Sequence, residues 1–464
     1  MSTKNYPIKV IQFGEGNFLR AFIEWMITIL NEQADFRGSV AVVQPLPNGM
    51  VDMLDAQKGG YHLLRQGFEN GAMVDELLEI NCISKTINPY KEFNEYMKLA
   101  EEPEAKLVFS NTTEAGIVFD SNDQPSDGEI AISYPGKLTQ LLLHRYKHFN
   151  CATDKGLSIV PCELIEHNGT KLKACIDQMI SNWNLTGDFK KWVNESCHFA
   201  NTLVDRIVPG YPKEEIEQIT ERIGKEDKLV VKAEAFHLFV IDGHDSLKNL
   251  FPAHKCGLNV KFVNDITPYR TQKVRILNGA HTSMVSIGIL NGKQTVREAV
   301  EDEYSGELIK RLIYDEIVPT ISIPGEDPKL FAEEVITRFT NPHIHHELKS
   351  IALNSISKFK VRVLPTFFDS IKNKGKLPEM ITLSLAGLIY MYLEGDKNLN
   401  DDQGILGFFK QQSTQNLESS IHSILSNTSL WDTDLSTVEG LHDAVKNHCT
   451  TFIQKEKEQS LLNY

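Results

Sequence analysis

The first half of the chain alternates short apolar runs with amphipathic stretches. The run IKVIQFG (8–14) is apolar and ends in glycine, which is typical of a buried strand. NFLRAFIEWMITILNEQ (17–33) follows with helical periodicity, because large apolar side chains such as Phe18 and Phe22 recur on one stripe. A second apolar run, SVAVVQP (39–45), completes a predicted strand–turn–helix–strand unit.

Further strand patterns continue this alternation. KLVFSNTTEAGI (106–117) and GLSIVPCELIEHNG (156–169) each begin as an apolar run and break into a polar turn. Between them, PGKLTQLLLHRYKHF (135–149) has the pattern of an amphipathic helix, and VVKAEAFHLFVIDG (230–243) is a strand-like run that we expect to return to the same sheet. Strands that alternate with helices indicate an α/β fold. The sequence therefore predicts an N-terminal Rossmann-type doubly wound domain.

From about Pro268 onward the strand patterns give way to helical ones. Apolar positions recur with helical spacing, and Gly-Lys, Asn-Pro and Leu-Pro breaks separate the segments. We expect a mostly α-helical C-terminal domain, so that residues 1–265 form the α/β domain and residues 266–464 the helical one.

Composition narrows the classes of function. The 464 residues include 48 Lys and Arg against 62 Asp and Glu, a formal net charge of −14, which disfavours nucleic acid as a partner. The seven cysteines are scattered without a CxxC pair, so we expect neither a disulfide framework nor a structural zinc site. No apolar run reaches the roughly 18 residues that span a bilayer, and MSTKNYPIKV lacks the pattern of a signal peptide. We expect a cytoplasmic protein without a membrane partner or a bound metal.

The tripeptide Gly14-Glu15-Gly16 joins the first predicted strand to the first helix. Such a turn aims backbone N–H groups and a helix N-terminus at a pyrophosphate, although an ordinary strand-to-helix turn is the alternative. Leu19 and Arg20 occupy the place of the usual third glycine. The candidate cofactor-binding residues at this edge are Phe13, Gly14, Gly16, Asn17, Phe18, Gln44, Asn111, Thr112 and Glu114.

Candidate chemistry is concentrated in QKVRILNGAHTSM (272–284). In a helix of about 100° per residue, Lys273, Asn278 and His281 fall at about 0°, 140° and 80°, on one side. An amine, an amide and an imidazole on one surface can take up a proton and hold a developing oxygen charge. The alternative is an ordinary solvated helix face, since such residues are mostly exposed.

Two other polar groups have competing interpretations. Asp205 and Arg206 precede a sharp Pro-Gly turn and form either a plain surface ion pair or part of a cleft. RFTNPHIHHEL (338–348) holds three histidines, at 343, 345 and 346. A metal site there lacks a recognised ligand template, so turn capping and a cleft-facing Arg338 are favoured.

Four motifs resemble the polyol-specific long-chain dehydrogenase/reductases, the mannitol dehydrogenase superfamily. They stand in the family's order and are FGEGNFLRAF (13–22), PCELIEHNG (161–169), NTLVDRIVP (201–209) and KVRILNGAH (273–281), with RFTNP (338–342) and SISKFKVR (355–362) extending the match. The resemblance implies NAD-dependent, metal-independent hydride transfer, with dinucleotide binding in the first domain and substrate binding in the second. By resemblance, Lys273 is the general base, Asn278 and His281 hold the substrate oxygen, and Asp205 supports Lys273.

Departures from the family's Cys-Asp-Asn motif bear on the substrate. Glu163 and Leu164 replace the Asp and the Asn, which favours a sugar acid over a neutral polyol, and Asn168 is the remaining candidate for the second amide. An acid substrate needs local cations, and the candidates are Arg338, Lys358 and Arg362. The expected substrate-binding residues are thus Glu163, Asn168, Arg338, Lys358 and Arg362. Another sugar acid, a mannitol-type polyol and a catalytically inactive NAD-binding regulator stay open as alternatives, as does a monomer or a small homo-oligomer.

Overall fold

The computed structural model describes residues 5–69, 71–113, 115–395 and 399–462. Residue contacts divide the chain into two units, Met1–Ile266 and Thr267–Tyr464. The first unit combines strands with helices, whereas the described residues of the second form helices joined by loops.

The described residues of the first unit form twelve strands in three sheets. In chain order they are β1 Ile8–Phe13, β2 Ser39–Val43, β3 Tyr61–Glu69, β4 Ala72–Ile80, β5 Ile83–Ile87, β6 Leu107–Ser110, β7 Ser158–Pro161, β8 His198–Phe199, β9 Asn201–Asp205, β10 Val231–Glu234, β11 Leu238–Asp242 and β12 Val260–Val263.

The largest sheet has six strands in the order β5-β2-β1-β6-β7-β8, and its neighbouring pairs are parallel. The chain winds outward from β1 in one direction and then returns to continue in the other, which is a doubly wound arrangement. Phe13 at the end of β1 lies opposite Val43 and Ser110, so three strands end at the same edge. The predicted α/β fold with a Rossmann-type N-terminal domain is confirmed.

Both faces of this sheet are buried. Val10 belongs to an apolar core with Phe22 from the helical stretch 17–33, whereas Ile11 joins a second core with Leu138 and Ile176. Neighbouring residues of a strand point to opposite faces, so the two cores lie on the two sides of the sheet. This double burial explains why the strands are nearly continuous apolar runs.

The two smaller sheets correct the sequence-based expectation. The run 230–243 does not return to the main sheet, because it breaks into β10, which pairs with β3, and β11, which lies between β9 and β12. The break contains His237, whose ring packs edge-on against Trp25 at 4.7 Å. The antiparallel hairpin of β3 and β4, with Tyr61 opposite Ile80, was not predicted.

The helices of the first unit connect these strands. They are α1 Asn17–Leu19, α2 Trp25–Gln33, α3 Val51–Ala56, α4 Phe93–Lys98, α5 Tyr134–His148, α6 Asn168–Asn182, α7 Gly187–Ser196, α8 Ile216–Ile223 and α9 Leu247–Leu250, with 3-10 turns at Leu99–Glu101, Thr153–Lys155 and Ala253–Cys256. A π-helical segment, Arg20–Glu24, joins α1 to α2. The predicted helix at 135–149 is confirmed by α5, which begins where Ser133 Oγ accepts a hydrogen bond from Gly136 N.

The second unit begins with α10 Thr267–Gln272 and a π-helical segment, Lys273–Gly279, that leads into α11 Ala280–Leu290. Its other helices are α12 Val296–Glu301, α13 Glu303–Arg311, α14 Pro328–Phe339, α15 Leu348–Ile351, α16 Ser355–Arg362, α17 Leu364–Lys374, α18 Glu379–Glu394, α19 Gln403–Phe409, α20 Leu417–Leu425, α21 Thr428–Trp431 and α22 Leu441–Leu462, with a π-helical segment at Leu312–Ile317 and 3-10 turns at Val318–Thr320, Thr414–Asn416 and Leu435–Thr437.

Helices α11 and α18 pack closely against each other in the second unit. Ser286 Oγ donates to Ser384 O at 2.9 Å, and a Cβ on Gly387 would come within 2.9 Å of Ser286 Cβ. Glycine at this position therefore sets the approach of the two helices. Among the described residues, none of the helices has both the length and the apolar character that crossing a bilayer requires.

Candidate active site

The turn after β1 brings three strand ends together. Gly14 has φ of +117° and its N–H donates to Val43 O at 3.0 Å, while a Cβ there would lie 3.1 Å from Asn111 O. A side chain is disfavoured in that conformation. Gly16, in contrast, faces open space, with no atom within 4 Å of where its Cβ would be. The backbone at the start of the helix is thus accessible to a ligand.

Arg20 fixes this turn from beneath, in place of the missing third glycine. The guanidinium is 1% exposed, and it donates to Glu15 O at 3.2 Å, Asn17 Oδ1 at 2.6 Å and Leu229 O at 2.5 Å. Three directed hydrogen bonds from a rigid fork hold the turn more firmly than a small residue does. Sequence reasoning noted Arg20 only as a departure from the glycine motif.

Gln44 at the end of β2 is engaged by the loop that follows it. It is 2% exposed, and its amide donates to Leu46 O at 2.8 Å and Pro47 O at 3.1 Å. The amide donors of Gln44 are thus engaged within its own loop, and its cofactor-binding role stays a prediction. Glu15 lies at the same edge, with Oε1 accepting from Met50 N at 3.1 Å, and burial is the main cause that raises the pKa of its carboxyl. Sequence reasoning missed Glu15.

Phe13 and Phe18 also serve the core. Phe13 is fully buried against Tyr96 and Tyr134, with ring centroids 6.2 and 5.1 Å away. Phe18 is half-buried and stacks on Phe22 at 5.0 Å. The Phe13 side chain therefore serves the core, and a cofactor contact of this residue stays a prediction, whereas Asn17 is exposed beside the open Gly16.

Glu163 organises the turn that follows β6. Its Oε1 accepts from Thr112 N and Thr112 Oγ1, both at 3.0 Å, and its Oε2 accepts from Ser110 Oγ at 3.1 Å. Asn111 Nδ2 donates to Cys162 O at 2.8 Å in the same turn. Burial raises the pKa of the Glu163 carboxyl, and these hydrogen bonds oppose the rise. Glu163 therefore holds the Ser110 and Thr112 side chains and the Thr112 N–H in place, and its substrate-binding role stays a prediction. Glu114 lies outside the described residues.

Asn168 is fully buried, and its side chain is fully engaged. Its Nδ2 donates to Pro161 O, Glu163 O and Thr202 Oγ1 at 3.0–3.1 Å, and its Oδ1 accepts from Gly169 N and Thr202 N. No donor capacity is left for a substrate oxygen. The expectation that Asn168 replaces the missing amide is contradicted, and Leu164 is 63% exposed.

Asp205 and Arg206 are not a surface ion pair, because they are 4% and 6% exposed. Arg206 lies 4.2 Å from the Trp25 ring centroid, and its guanidinium donates to Glu234 O at 2.9 Å and Ala21 O at 2.6 Å. Burial lowers the pKa of Arg206 to about 9. Arg206 is thus a structural cation that ties the end of β9 to the helix behind the Gly-x-Gly turn.

In the second unit, Lys273 and Asn278 lie in a π-helical segment and not in the α-helix that was predicted. Hydrogen bonds in a π-helix link residue i to i+5, so residues five apart lie near the same line along its surface. Lys273 and Asn278 have this spacing, and both are partly exposed. The segment therefore aligns the two residues better than the angles of an α-helix would.

His281 follows at the start of α11 and is 9% exposed. Its ring packs against Phe339 at 4.4 Å and His346 at 4.9 Å between centroids. Burial, and then the charge of Lys358, lower the pKa of His346. His346 belongs to this group although sequence reasoning considered it only for turn capping or metal binding.

Lys358 and Arg362 extend the group on α16. Lys358 Nζ donates to Ile351 O at 2.9 Å, and its pKa is lowered by burial and then by Arg362. Burial also lowers the pKa of Arg362, whose carbonyl oxygen lies 3.2 Å from a Cβ placed on Gly279. In the part of the chain that the structure describes, no carboxylate pairs with Arg362. Arg338, at the end of α14, is 6% exposed next to Phe339.

The histidines of 343–346 do not form a metal centre among the described residues, where the group of three ligands close enough to share an ion is Glu101, His144 and His148. His345 is largely exposed and lies 3.8 Å from Glu347.

The chain belongs to the mannitol dehydrogenase family. The model of the mannitol dehydrogenase Rossmann domain matches residues 8–253, and the model of the mannitol dehydrogenase C-terminal domain matches residues 265–453. Together they cover most of the chain.

Among curated proteins, the chain is 47% identical to an altronate oxidoreductase of Phocaeicola vulgatus, over 95% of this chain and 93% of that protein. It is 43% identical to an altronate oxidoreductase of Bacillus subtilis, over 99% and 95% of the two chains. Two solved structures share the fold. They are a substrate-free D-sorbitol dehydrogenase (TM-score 0.78, 21% identity, 96% of each chain) and the Pseudomonas fluorescens mannitol 2-dehydrogenase in ternary complex with NAD and D-mannitol (TM-score 0.69, 20% identity, 99% and 96%).

Proposed function

We propose that this chain is an NAD-dependent oxidoreductase that interconverts D-altronate and D-tagaturonate. The altronate oxidoreductases are similar to it at 40–47% identity over nearly its whole length. The observation that carries the substrate class is Arg362, a half-buried cation with no carboxylate partner in the described chain, next to Lys358. A charge held in this way is costly unless an anion joins it, and the carboxylate of a sugar acid supplies one.

The first unit has features that fit NAD. Gly14 closes the turn, Gly16 leaves its backbone open, and the helix start presents free N–H groups where a pyrophosphate binds. When bound, NAD accepts hydride from the alcohol carbon or returns it to the keto carbon. Asn17, Asn111 and Thr112 are the polar residues proposed to border it. Glu163 holds the Thr112 backbone in place, and Arg20 holds the Asn17 side chain.

The second unit supplies the proton chemistry in this proposal. During oxidation, the Lys273 amine takes the hydroxyl proton of altronate, so the alcohol carbon can release hydride as its C–O bond becomes a carbonyl. In the reverse direction, the Lys273 ammonium returns that proton to the oxygen. Asn278 donates to the oxygen as its charge develops, and His281 orients it. The support of Asp205 for Lys273 stays a prediction from the family resemblance.

Substrate binding is assigned to the cations near His281. Arg362 and Lys358 meet the carboxylate of the sugar acid, and Arg338 lies beside Phe339, which His281 contacts. Metal is not required, because Lys273 and Asn278 provide the proton and the oxygen contact. The free state of all seven cysteines supports a reducing compartment, the cytoplasm.

A keto-sugar panel tests the proposal. NADH oxidation is followed with tagaturonate, fructuronate and fructose, and tagaturonate is expected to give the highest kcat/KM. A preference for fructuronate would overturn the altronate assignment and keep the sugar-acid class. Turnover of fructose alone would contradict the role of Arg362, and NADH binding without turnover of any sugar would indicate a regulator.

A further inference from the structure

Glu101, His144 and His148 form a side-chain cluster on the first unit. Both histidines lie at the carboxyl end of α5, and Glu101 ends a 3-10 turn that packs beside it. Because α5 connects β6 to β7, its carboxyl end lies at the sheet edge opposite the turn that follows β6. The cluster is therefore separate from the residues assigned to NAD.

The three side chains converge on one oxygen atom. Glu101 Oε1 lies 2.9 Å from His144 Nε2 and 3.9 Å from His148 Nδ1, and one ligand atom from each residue lies within 4.8 Å of the others. The i, i+4 spacing places both imidazoles on one face of α5, with ring planes 22° apart. Ligands of a tetrahedral ion at bond lengths of about 2.1 Å are about 3.4 Å apart, so small rotations suffice.

A plain ion pair explains only part of this arrangement. One histidine next to Glu101 satisfies a hydrogen bond, and a cation is favourable near a helix carboxyl end. The second ring nitrogen facing the same oxygen is not needed for either effect. Lys98, a cation that acts on Glu101, is itself engaged by Glu95 at 2.6 Å.

We propose that Glu101, His144 and His148 bind a zinc-like divalent transition metal ion. Two imidazoles and one carboxylate suit Zn²⁺, whereas Mg²⁺ and Ca²⁺ prefer oxygen ligands. Three protein ligands leave a fourth position for water or another small ligand. His144 also lines a cavity of about 670 Å³ with Asp127, so the ion would lie at the rim of that cavity. This site goes beyond the proposed function, and no step of hydride transfer uses it.

Isothermal titration of the full-length protein with ZnCl₂ tests the site. The titration uses a Cys151→Ser background, because Cys151 is an exposed thiol that could bind zinc by itself. One zinc ion per chain is expected. Glu101→Gln, His144→Ala and His148→Ala should each weaken it by at least about 10-fold, since even outer partners of a metal site are worth roughly 10–100-fold.

The double variant His422→Ala/His442→Ala is the matched control. It removes another surface histidine pair, 6.3 Å apart, beside the acidic residue Glu418. Zinc affinity that survives all three ligand substitutions, or that falls equally in the control, would overturn the proposal. A rise in Tm with ZnCl₂ that the three variants lack provides a second measurement, and it also shows that each variant is folded. Neither readout depends on catalytic turnover.

Discussion

In the first unit, the polar atoms of Glu163 and Asn168 are engaged by groups around the strand ends, whereas in the second unit no carboxylate of the described chain pairs with the half-buried Arg362. Lys358 lies half-buried on the same helix, where its amine donates to Ile351 O and Asp401 acts on it electrostatically. A region whose polar side chains are all hydrogen-bonded is rigid, and mainly its backbone is left to contact a ligand. A region with unmet charge is held ready for an oppositely charged ligand. In the proposed mechanism, the satisfied polar residues therefore shape the cofactor surface, and the cation without a paired carboxylate selects the substrate.

Loss of Lys273 is expected to have the largest effect. Lys273→Ala should lower kcat with tagaturonate by about 10²–10⁴-fold, the usual contribution of a general acid or base. NADH affinity, measured by fluorescence titration, should stay within about twofold because the first unit is unchanged. A kcat close to that of the original chain would remove Lys273 from the mechanism.

Arg362 and Lys360 lie on the same helix. Comparing their variants tests whether substrate binding needs a cation that has no carboxylate paired with it. Arg362→Ala should lower kcat/KM for tagaturonate by about 10–100-fold, mainly through KM, since a charged hydrogen bond is worth about 1.5–3 kcal/mol. Lys360 pairs with Asp432 at 3.0 Å, so Lys360→Ala should leave steady-state kinetics almost unchanged. Equal losses in the two variants would mean that general surface charge, and not an unpaired Arg362, attracts the substrate.

Substitutions of Gly14 and Gly16 test two properties of the cofactor surface independently: the backbone conformation of the turn and the access of a ligand to it. Gly14→Ala should lower the free energy of unfolding by about 1–3 kcal/mol, because φ of +117° is strained for alanine. Gly16→Ala meets no atom within 4 Å and should leave stability unchanged within about 0.5 kcal/mol, yet it should weaken NADH binding by filling space above the turn. Thermal unfolding and NADH titration measure both effects. Unchanged NADH affinity in Gly16→Ala would place the pyrophosphate elsewhere.

The smallest expected effect is a pH dependence at Lys358. Burial and the charge of Arg362 lower its pKa, so the amine loses its charge at a lower pH than an ordinary lysine. KM for an anionic sugar should therefore rise at alkaline pH. In Lys358→Arg, KM should depend less on pH in this range, because arginine keeps its charge. The free energy of unfolding changes in the opposite direction to substrate binding. Between the lowered pKa of folded Lys358 and 10.5, the unfolded chain binds more protons than the folded one, so stability rises with pH. Identical pH profiles of KM in both proteins would exclude Lys358 from binding the carboxylate.

The parts of the fold that could be predicted from sequence are those with strong local patterns. The runs that became β1, β2, β6 and β7 are apolar because both sheet faces are buried, and the second unit shows helical periodicity throughout. The hairpin of β3 and β4 was not predicted from the sequence. Its exposed strand β4 has charged and apolar residues on both faces, so the alternation typical of a strand is missing.

The site was less predictable because its geometry depends on contacts between distant positions. Asn168 looks like a ligand-facing amide in sequence, but its side chain is engaged by Pro161 O and by Thr202, which lies 34 positions away. Arg20 acts through Leu229, which lies 209 positions away. The approach of His346 to His281 has no local signal either, since it depends on how a loop folds over α11.

The π-helical segment Lys273–Gly279 behaves like a helix that carries one residue more than an α-helix would need. Deletion of a single residue between Lys273 and Asn278 would let the helix close into regular α geometry. The two residues would then be four apart, and four steps of about 100° leave them about 40° apart, so their alignment would survive. If the segment instead became α-helical with all its residues kept, Lys273 would turn by about 100° relative to α11, the angle of one α-helical step. The wide turn thus absorbs one residue and keeps the proposed base in phase with Asn278.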